Sequence, residues 1–195
     1  MRLVVATRNP HKVAELARLL APLELEPLPS GVELPPETGS SFRENALIKA
    51  RAAAHATGRP AIADDSGICV PALGGAPGVH SARFAGESAS DAENLAKLVA
   101  EMRGQAERSA YYVCVLAYVA PHGGREIVVE GRCHGHLAEA PRGSGGFGYD
   151  PLFVPLESGD GRTMAELTPE EKNAISHRGR AARALLAALG EESAG

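Results

Sequence analysis

The stretch from Ser109 to Leu137 limits the fold more than any other part of this chain. Two β-rich runs, 109–120 and 125–137, flank Pro121-His122-Gly123-Gly124, a cluster of turn formers that reads as the connection of a long antiparallel hairpin. Around this hairpin, short apolar runs alternate with helical patterns. Arg2 to Ala6 reads as a buried strand, Thr7-Arg8-Asn9 as a turn, and Pro10 sits at a first helical position. Val13, Leu16, Ala17 and Leu20 recur at i, i+3, i+4 and i+7, which predicts an amphipathic helix over 10–20 with those side chains on the core. Residues 23–28 alternate apolar and acidic, as a half-exposed strand does, and a Pro-rich loop runs from 29 to 40.

Three Ser/Thr-x-x-Glu boxes mark helix starts: Ser41 to Glu44, Ser90 to Glu93 and Thr168 to Glu171. The first opens an Ala-rich helix closed by Gly58, the second a helix ending near Met102, and the third a helix that runs through a kink near Gly179 to Leu189. Pro60 to Asp64 reads as a short strand ending in the turn Asp65-Ser66-Gly67. Residues 74–86, with four glycines and a proline, read as an irregular loop of functional length. Strands alternating with helices plus one hairpin give an α/β class with a mixed sheet, as a single domain over 1–195 without repeat or linker.

Composition narrows the function. An apolar share of 44% excludes disorder. A chain of this size buries about 70% of its unfolded surface, enough for a core without disulfide or metal staples. No run approaches the roughly 18 apolar residues of a membrane span, and Met1-Arg2 leads into a strand and not into a signal sequence. Cys69, Cys114 and Cys133 form no C-x-x-C pair, which suits thiols in a reducing cytoplasm. A net charge of −4 without a basic run argues against nucleic acid, so an anionic partner is small and locally bound. Of 20 basic residues only Lys12, Lys49, Lys97 and Lys172 are lysine; either GC-rich coding explains that, or these positions need a compact ammonium.

Four segments carry candidate chemistry, each with a plainer alternative. Thr7-Arg8-Asn9-Pro10-His11-Lys12 joins strand to helix, where unpaired N–H groups and a positive dipole end favour phosphate; the alternative is a turn capped by Thr7 or Asn9 with Lys12 solvated. No Gly-Lys dipeptide exists, so a Walker A loop is excluded. Asp64-Asp65-Ser66-Gly67, with Glu44, offers hard oxygen donors for Mg²⁺ or a carboxylate that deprotonates water; turn chemistry and helix capping explain the same residues. Gly143 to Pro151 contains G-x-G-x-x-G, but the strand-like Leu152-Phe153-Val154 follows it, and the Rossmann reading fails. Phe147 and Tyr149 beside Asp150 suit stacking on a planar base, or else Phe147 tucks into the core. Lys172, Asn173, Ser176, His177 and Arg178 either converge as donors or form a solvated face. Cys133-His134-Gly135-His136 alternates along a strand and closes no zinc site.

Read together, T-R-N-P-H-K, S-F-R-E-N-A-L-I-K-A, A-D-D-S-G-I, G-G-A-P-G-V-H-S-A-R-F, G-G-F-G-Y-D-P-L-F and K-N-A-I-S-H-R, in this order from residue 3 to about 186, closely resemble the inosine triphosphate pyrophosphatase family, the non-canonical purine nucleoside triphosphate pyrophosphatases. The resemblance implies an elongated α/β fold of two lobes flanking a central cleft, a cytoplasmic homodimer, and Mg²⁺-dependent hydrolysis of ITP, dITP and XTP to monophosphate and pyrophosphate. It implies phosphate binding by Thr7, Arg8, Asn9, Pro10, His11, Lys12 and Lys49, metal binding by Glu44 and Asp65, and proton acceptance from water by Asp65. Ser66, Phe147, Gly148, Tyr149, Asp150, Lys172, His177 and Arg178 match its substrate and base-recognition positions, and Asp64 matches a neighbouring acid; a 6-keto purine would accept from a donor such as Arg178 or a backbone N–H. A non-catalytic purine nucleotide sensor, or a pyrophosphatase for modified pyrimidine nucleotides, are the alternatives.

Overall fold

The computed structural model describes residues 1–21 and 23–190. Six strands form one sheet in the order β2-β1-β3-β4-β5-β6: β1 (Arg2–Val5), β2 (Glu24–Pro27), β3 (Ala61–Cys69), β4 (Ser109–Val119), β5 (Glu126–Leu137) and β6 (Phe153–Pro155). β1 pairs parallel with β2 and β3, and β6 pairs antiparallel with β5, so the sheet is mixed as the alternation of elements predicts. Among the described residues five α-helices accompany it: α1 (Pro10–Leu19), α2 (Phe42–Thr57), α3 (Asp91–Glu101), α4 (Pro169–Ile175) and α5 (His177–Gly190). Among the described residues no helix is long and apolar enough to cross a membrane.

The described residues group into two compact units. Unit 1 comprises Met1–Asp65, Cys114–Gly131 and the stretch from Arg178, and its core gathers Leu3, Val5, Leu16, Leu20, Ile62, Leu116 and Leu185. Unit 2 comprises Ser66–Val113 and Arg132–His177, with a core of Ile68, Leu98, Met102, Tyr112, Leu137, Tyr149 and Phe153. The chain passes from one to the other within β3, β4 and β5 and at the His177–Arg178 peptide.

Local chemistry accounts for most element ends. Ser90 accepts from Glu93 N while Glu93 accepts from Ser90 N, a complete capping box, and Thr168 and Glu171 do the same. Gly58 closes α2 in the left-handed conformation at φ 62°. At the hairpin turn Ala120 N donates to Arg125 O, and His122 and Gly123 both take positive φ. Along β5, Cys133, Gly135 and Leu137 are buried while Arg132, His134 and His136 are exposed, the alternation a strand requires.

The structure departs from the sequence reading in four places. Asp65-Ser66-Gly67 is not a turn: β3 continues to Cys69 because it is an inner strand, and a Cβ on Gly67 would overlap Gly78 O and Ser81 Oγ of the neighbouring 3₁₀ segment Gly78–Arg83. Residues 74–86 are correspondingly more regular than a loop. On α1 the buried positions are Glu15 and Leu16, followed by Leu20 at its C-cap, with Ala17 exposed, since Glu15 has a buried cationic partner. The break in the last helix falls at Ser176, which is extended (φ −66°, ψ 156°), and not at Gly179.

Candidate active site

In unit 1 three elements bring charge together. Asn9 caps α1, its Oδ1 accepting from His11 N and Lys12 N, and Asn9 N donates to Thr7 Oγ1. This fixes the turn at the helix N-terminus and starts Lys12 on the inward side of α1. Arg8 reaches away from it, donating to Val32 O at 2.6 Å, while Pro10 and His11 are exposed. On α2 the buried face is Asn45, Ala46, Lys49, Ala50, Ala53 and Ala54. Small alanines allow close packing, and the i, i+4 spacing of Asn45 and Lys49 puts an amide and an ammonium on the same face.

Asp64 and Asp65 are consecutive on β3, so their side chains leave the strand on opposite faces. Asp64 Oδ2 lies 3.0 Å from Lys12 Nζ and 3.1 Å from Arg178 Nη2, and Arg178 Nη1 donates to Glu15 Oε2 at 2.6 Å. Burial opposes the Asp64 charge, but Lys12, Arg178 and Lys49 outweigh it and hold its carboxyl well below the usual range. Asp65 accepts from Asn45 Nδ2 at 3.1 Å, and its Oδ1 is 3.8 Å from Lys49 Nζ. Burial pushes Asp65 up to about 6, and the Glu37 carboxylate adds to the rise against Lys49. Lys49 is bonded to Glu37; burial works against its ammonium, yet Asp64, Asp65 and Glu37 together raise its pKa above the ordinary lysine value.

Four carboxylates (Glu15, Glu37, Asp64, Asp65) thus face three cations (Lys12, Lys49, Arg178). An acid surplus of this kind, with Asp65 least well compensated, suits a divalent cation. Among the described residues no group of three His, Cys, Asp or Glu side chains is gathered for a metal, whereas Mg²⁺ ordinarily takes one or two carboxylates and completes its shell with phosphate and water. Asp65 and Glu37, which share Lys49, fit that need. The other expected ligand, Glu44, turns its Oε2 to Ser40 N and Ser40 Oγ at the start of α2, at 2.7 and 3.0 Å.

Unit 2 gathers a second cluster of different character. Asp150 is its hub: Oδ2 accepts from Lys172 Nζ at 2.7 Å and from Phe147 N at 3.0 Å, and Oδ1 from Tyr112 Oη at 3.2 Å. A Cβ on Gly146 would overlap Asp150 Oδ2, and Gly146 has φ 67°, so this position requires glycine. Lys172 Nζ stands 5.0 Å above the half-buried Phe147 ring. Gly148 N donates to Asp91 at the start of α3, and Tyr149 Oη donates to Ser81 O at 2.6 Å. His177 is buried and stacks on Tyr112 with ring centroids 4.5 Å apart and planes 8° off parallel. Ser66 is half-buried on β3.

Arg178 is the expected site residue whose contacts differ most from the sequence reading. Its guanidinium is wholly buried between Glu15 and Asp64 in unit 1, where it compensates acids. Sequence reasoning passed over Glu15, Glu37, Asn45 and Tyr112. A glutamate three residues after Lys12, beside the apolar stripe of α1, was a usable signal for Glu15, and so was the i, i+4 pair Asn45/Lys49 on an alanine face. Nothing local marks Glu37 or Tyr112.

Comparisons with known proteins place the chain among relatives of one family. The chain is 54% identical to a dITP/XTP pyrophosphatase of Geobacillus kaustophilus, over 92% of this chain and 89% of that protein. It is 53% identical to one of Aromatoleum aromaticum, over 96% of each. Among solved structures, a HAM1 protein from Coxiella burnetii superposes with a TM-score of 0.88 at 44% identity, covering 98% of this chain and 99% of that one. The Ham1 family model matches residues 3–188, and the chain belongs to the Ham1 family.

Proposed function

We propose that this protein hydrolyses ITP, dITP and XTP to the nucleoside monophosphate and pyrophosphate, with Mg²⁺ as cofactor. The observation that carries the reading is the division of labour between two consecutive acids. Asp64 is locked as a carboxylate by Lys12 and Arg178, while Asp65, pushed up to about 6, is the stronger base of the two. In the metal-free protein Asp65 is mostly ionised at neutral pH and a better proton acceptor than Asp64. The water oxygen bonds to the α-phosphorus, the bond from that phosphorus to the α–β bridging oxygen breaks, pyrophosphate leaves with the electron pair, and Asp65 holds the proton.

A bound Mg²⁺ held by Asp65 and Glu37 would neutralise phosphate charge. Lys12 and Lys49, with the capped start of α1, supply the protein's own positive charge for a triphosphate of about four negative charges. Phe147 offers a ring face to a planar base, and Lys172 is a donor of the kind a 6-keto purine accepts, whereas adenine presents its own amino donor at that position. An unpaired buried polar group costs about 1–3 kcal/mol, which gives roughly tenfold to hundredfold preference over adenine. The family resemblance extends the reading to a homodimer working in the cytoplasm, and sedimentation of the purified chain tests the dimer.

Incubation with dITP, XTP and ATP in Mg²⁺ tests the reaction. The expected products from dITP and XTP are monophosphate and pyrophosphate, with ATP turned over far more slowly. Orthophosphate as the product, or equal turnover of ATP, overturns it.

A further inference from the structure

We propose that Tyr112, a residue of the β4 interior, is a positioning residue for base recognition. The inference rests on the reading above that unit 2 receives the purine. Tyr112 is 6% exposed and belongs to the unit 2 core, yet its polar end does not end in the core. Its hydroxyl donates to Asp150 Oδ1 at 3.2 Å, and the other oxygen of that carboxylate holds Lys172 Nζ and Phe147 N. One face of the same ring carries the His177 imidazole, 4.5 Å away and nearly parallel, and Phe153 meets it edge-on at 4.7 Å and 66°. A single side chain therefore sets two things at once: the rotation of the carboxylate that aims Lys172 and shapes the Phe147 turn, and the plane of His177.

A carboxylate bonded through one oxygen can rotate about its terminal torsion, whereas a donor on each oxygen holds its plane. Because Asp150 is itself buried, a change of that plane passes directly to Lys172 and Phe147, the groups proposed to meet the base. The ring stack does the same for His177, which the extended Ser176 separates from the last turn of α4. Tyr112 touches no reacting atom in this account, so its loss should be felt in substrate affinity and base choice and not in the bond-breaking step.

Two variants separate the roles of hydroxyl and ring. Tyr112→Phe keeps both stacks and removes the donor to Asp150; KM for dITP is expected to rise about tenfold, the scale of one lost hydrogen bond to a charged group, with kcat within about twofold. The preference for dITP over dATP should fall in parallel. Tyr112→Leu removes the stack as well, and should raise KM further and shift the His177 ring-proton resonances, which Tyr112→Phe leaves near their wild-type positions. Calorimetric binding of IMP by the full chain gives a readout that needs no turnover. Weaker IMP binding by Tyr112→Phe supports positioning even if wild type releases no pyrophosphate from dITP, in which case the reaction is wrong and this inference stands. Unchanged KM, base preference and IMP affinity in Tyr112→Phe overturns it, as does an equal fall of kcat and melting temperature without change in base preference.

Discussion

The two clusters hold their side chains by different means. In unit 1, seven ionised groups from α1, β3, α2, α5 and the Glu37 loop compensate one another, and the split between Asp64 and Asp65 arises from which cations each one meets. In unit 2, one buried ion pair, Lys172 with Asp150, is set among rings, with Tyr112 at the junction. Charge networks tune proton affinity and counter a polyanion; ring planes and a single fixed donor measure shape and hydrogen-bond pattern. Variants in unit 1 should therefore disturb chemistry and stability, and variants in unit 2 should disturb selection.

The largest effect is expected for Asp65→Asn, which lowers kcat about 10²–10⁴-fold while nucleotide binding survives. Steady-state rates together with calorimetry check both halves, and a variant that retains turnover would move the base elsewhere. Arg178→Met comes next. It leaves Glu15 and Asp64 buried beside less positive charge, a loss of about 3–5 kcal/mol that thermal unfolding would register, and Glu15→Gln added to it should recover part. If Arg178→Met instead melts like wild type and only alters base preference, Arg178 belongs with the unit 2 residues in function. Phe147→Ala tests the other side of the comparison. Loss of a stacking face of about 1–3 kcal/mol predicts a KM for dITP raised roughly tenfold to hundredfold with kcat little changed.

Asp65 also predicts a pH effect on stability in the metal-free protein. Its carboxyl is raised to about 6, so between the unfolded value and 6 the folded state binds the extra proton, and stability falls as pH rises through that window. Asp65→Asn removes the penalty. In chelator it should gain roughly 1–3 kcal/mol over wild type at pH 8 and little at pH 4. The smallest contrast concerns the metal: Glu37→Gln should raise the Mg²⁺ concentration for half-maximal rate more than Glu44→Gln does, because Glu44 is turned toward Ser40. The reverse order would return Glu44 to the ligand set.

Much of the frame was legible because its signals are local. Capping boxes, the left-handed Gly58 and the Pro121–Gly124 turn act within a few residues, and the structure places α2, α3 and the hairpin where those signals put them. The misreadings concern residues whose environment is not local. Gly67 looks like a turn residue until Gly78 O and the Ser81 side chain are seen to pack against it inside β3. Ala17 and Glu15 exchange exposure on α1 because Arg178, far along the chain, offers Glu15 a buried partner. Candidate site residues showed a similar pattern: Lys12, Asp65 and Asp150 stood out as chemistry-bearing types near a helix start and strand ends, and Lys49 through the scarcity of lysine and the family resemblance, whereas Tyr112 read only as part of a β-rich run.

The sequence by itself determined most helix and strand positions, the hairpin, the mixed α/β class and the order of motifs that marks the family, since backbone propensity, periodicity and capping act over neighbouring residues. Only the tertiary structure decided which acid meets which cation, that Arg178 answers Glu15 and Asp64, and that one tyrosine ring carries both Asp150 and His177. Coulomb energies, desolvation and ring contacts depend on distances through space, and those distances exist only after the sheet has brought remote segments side by side.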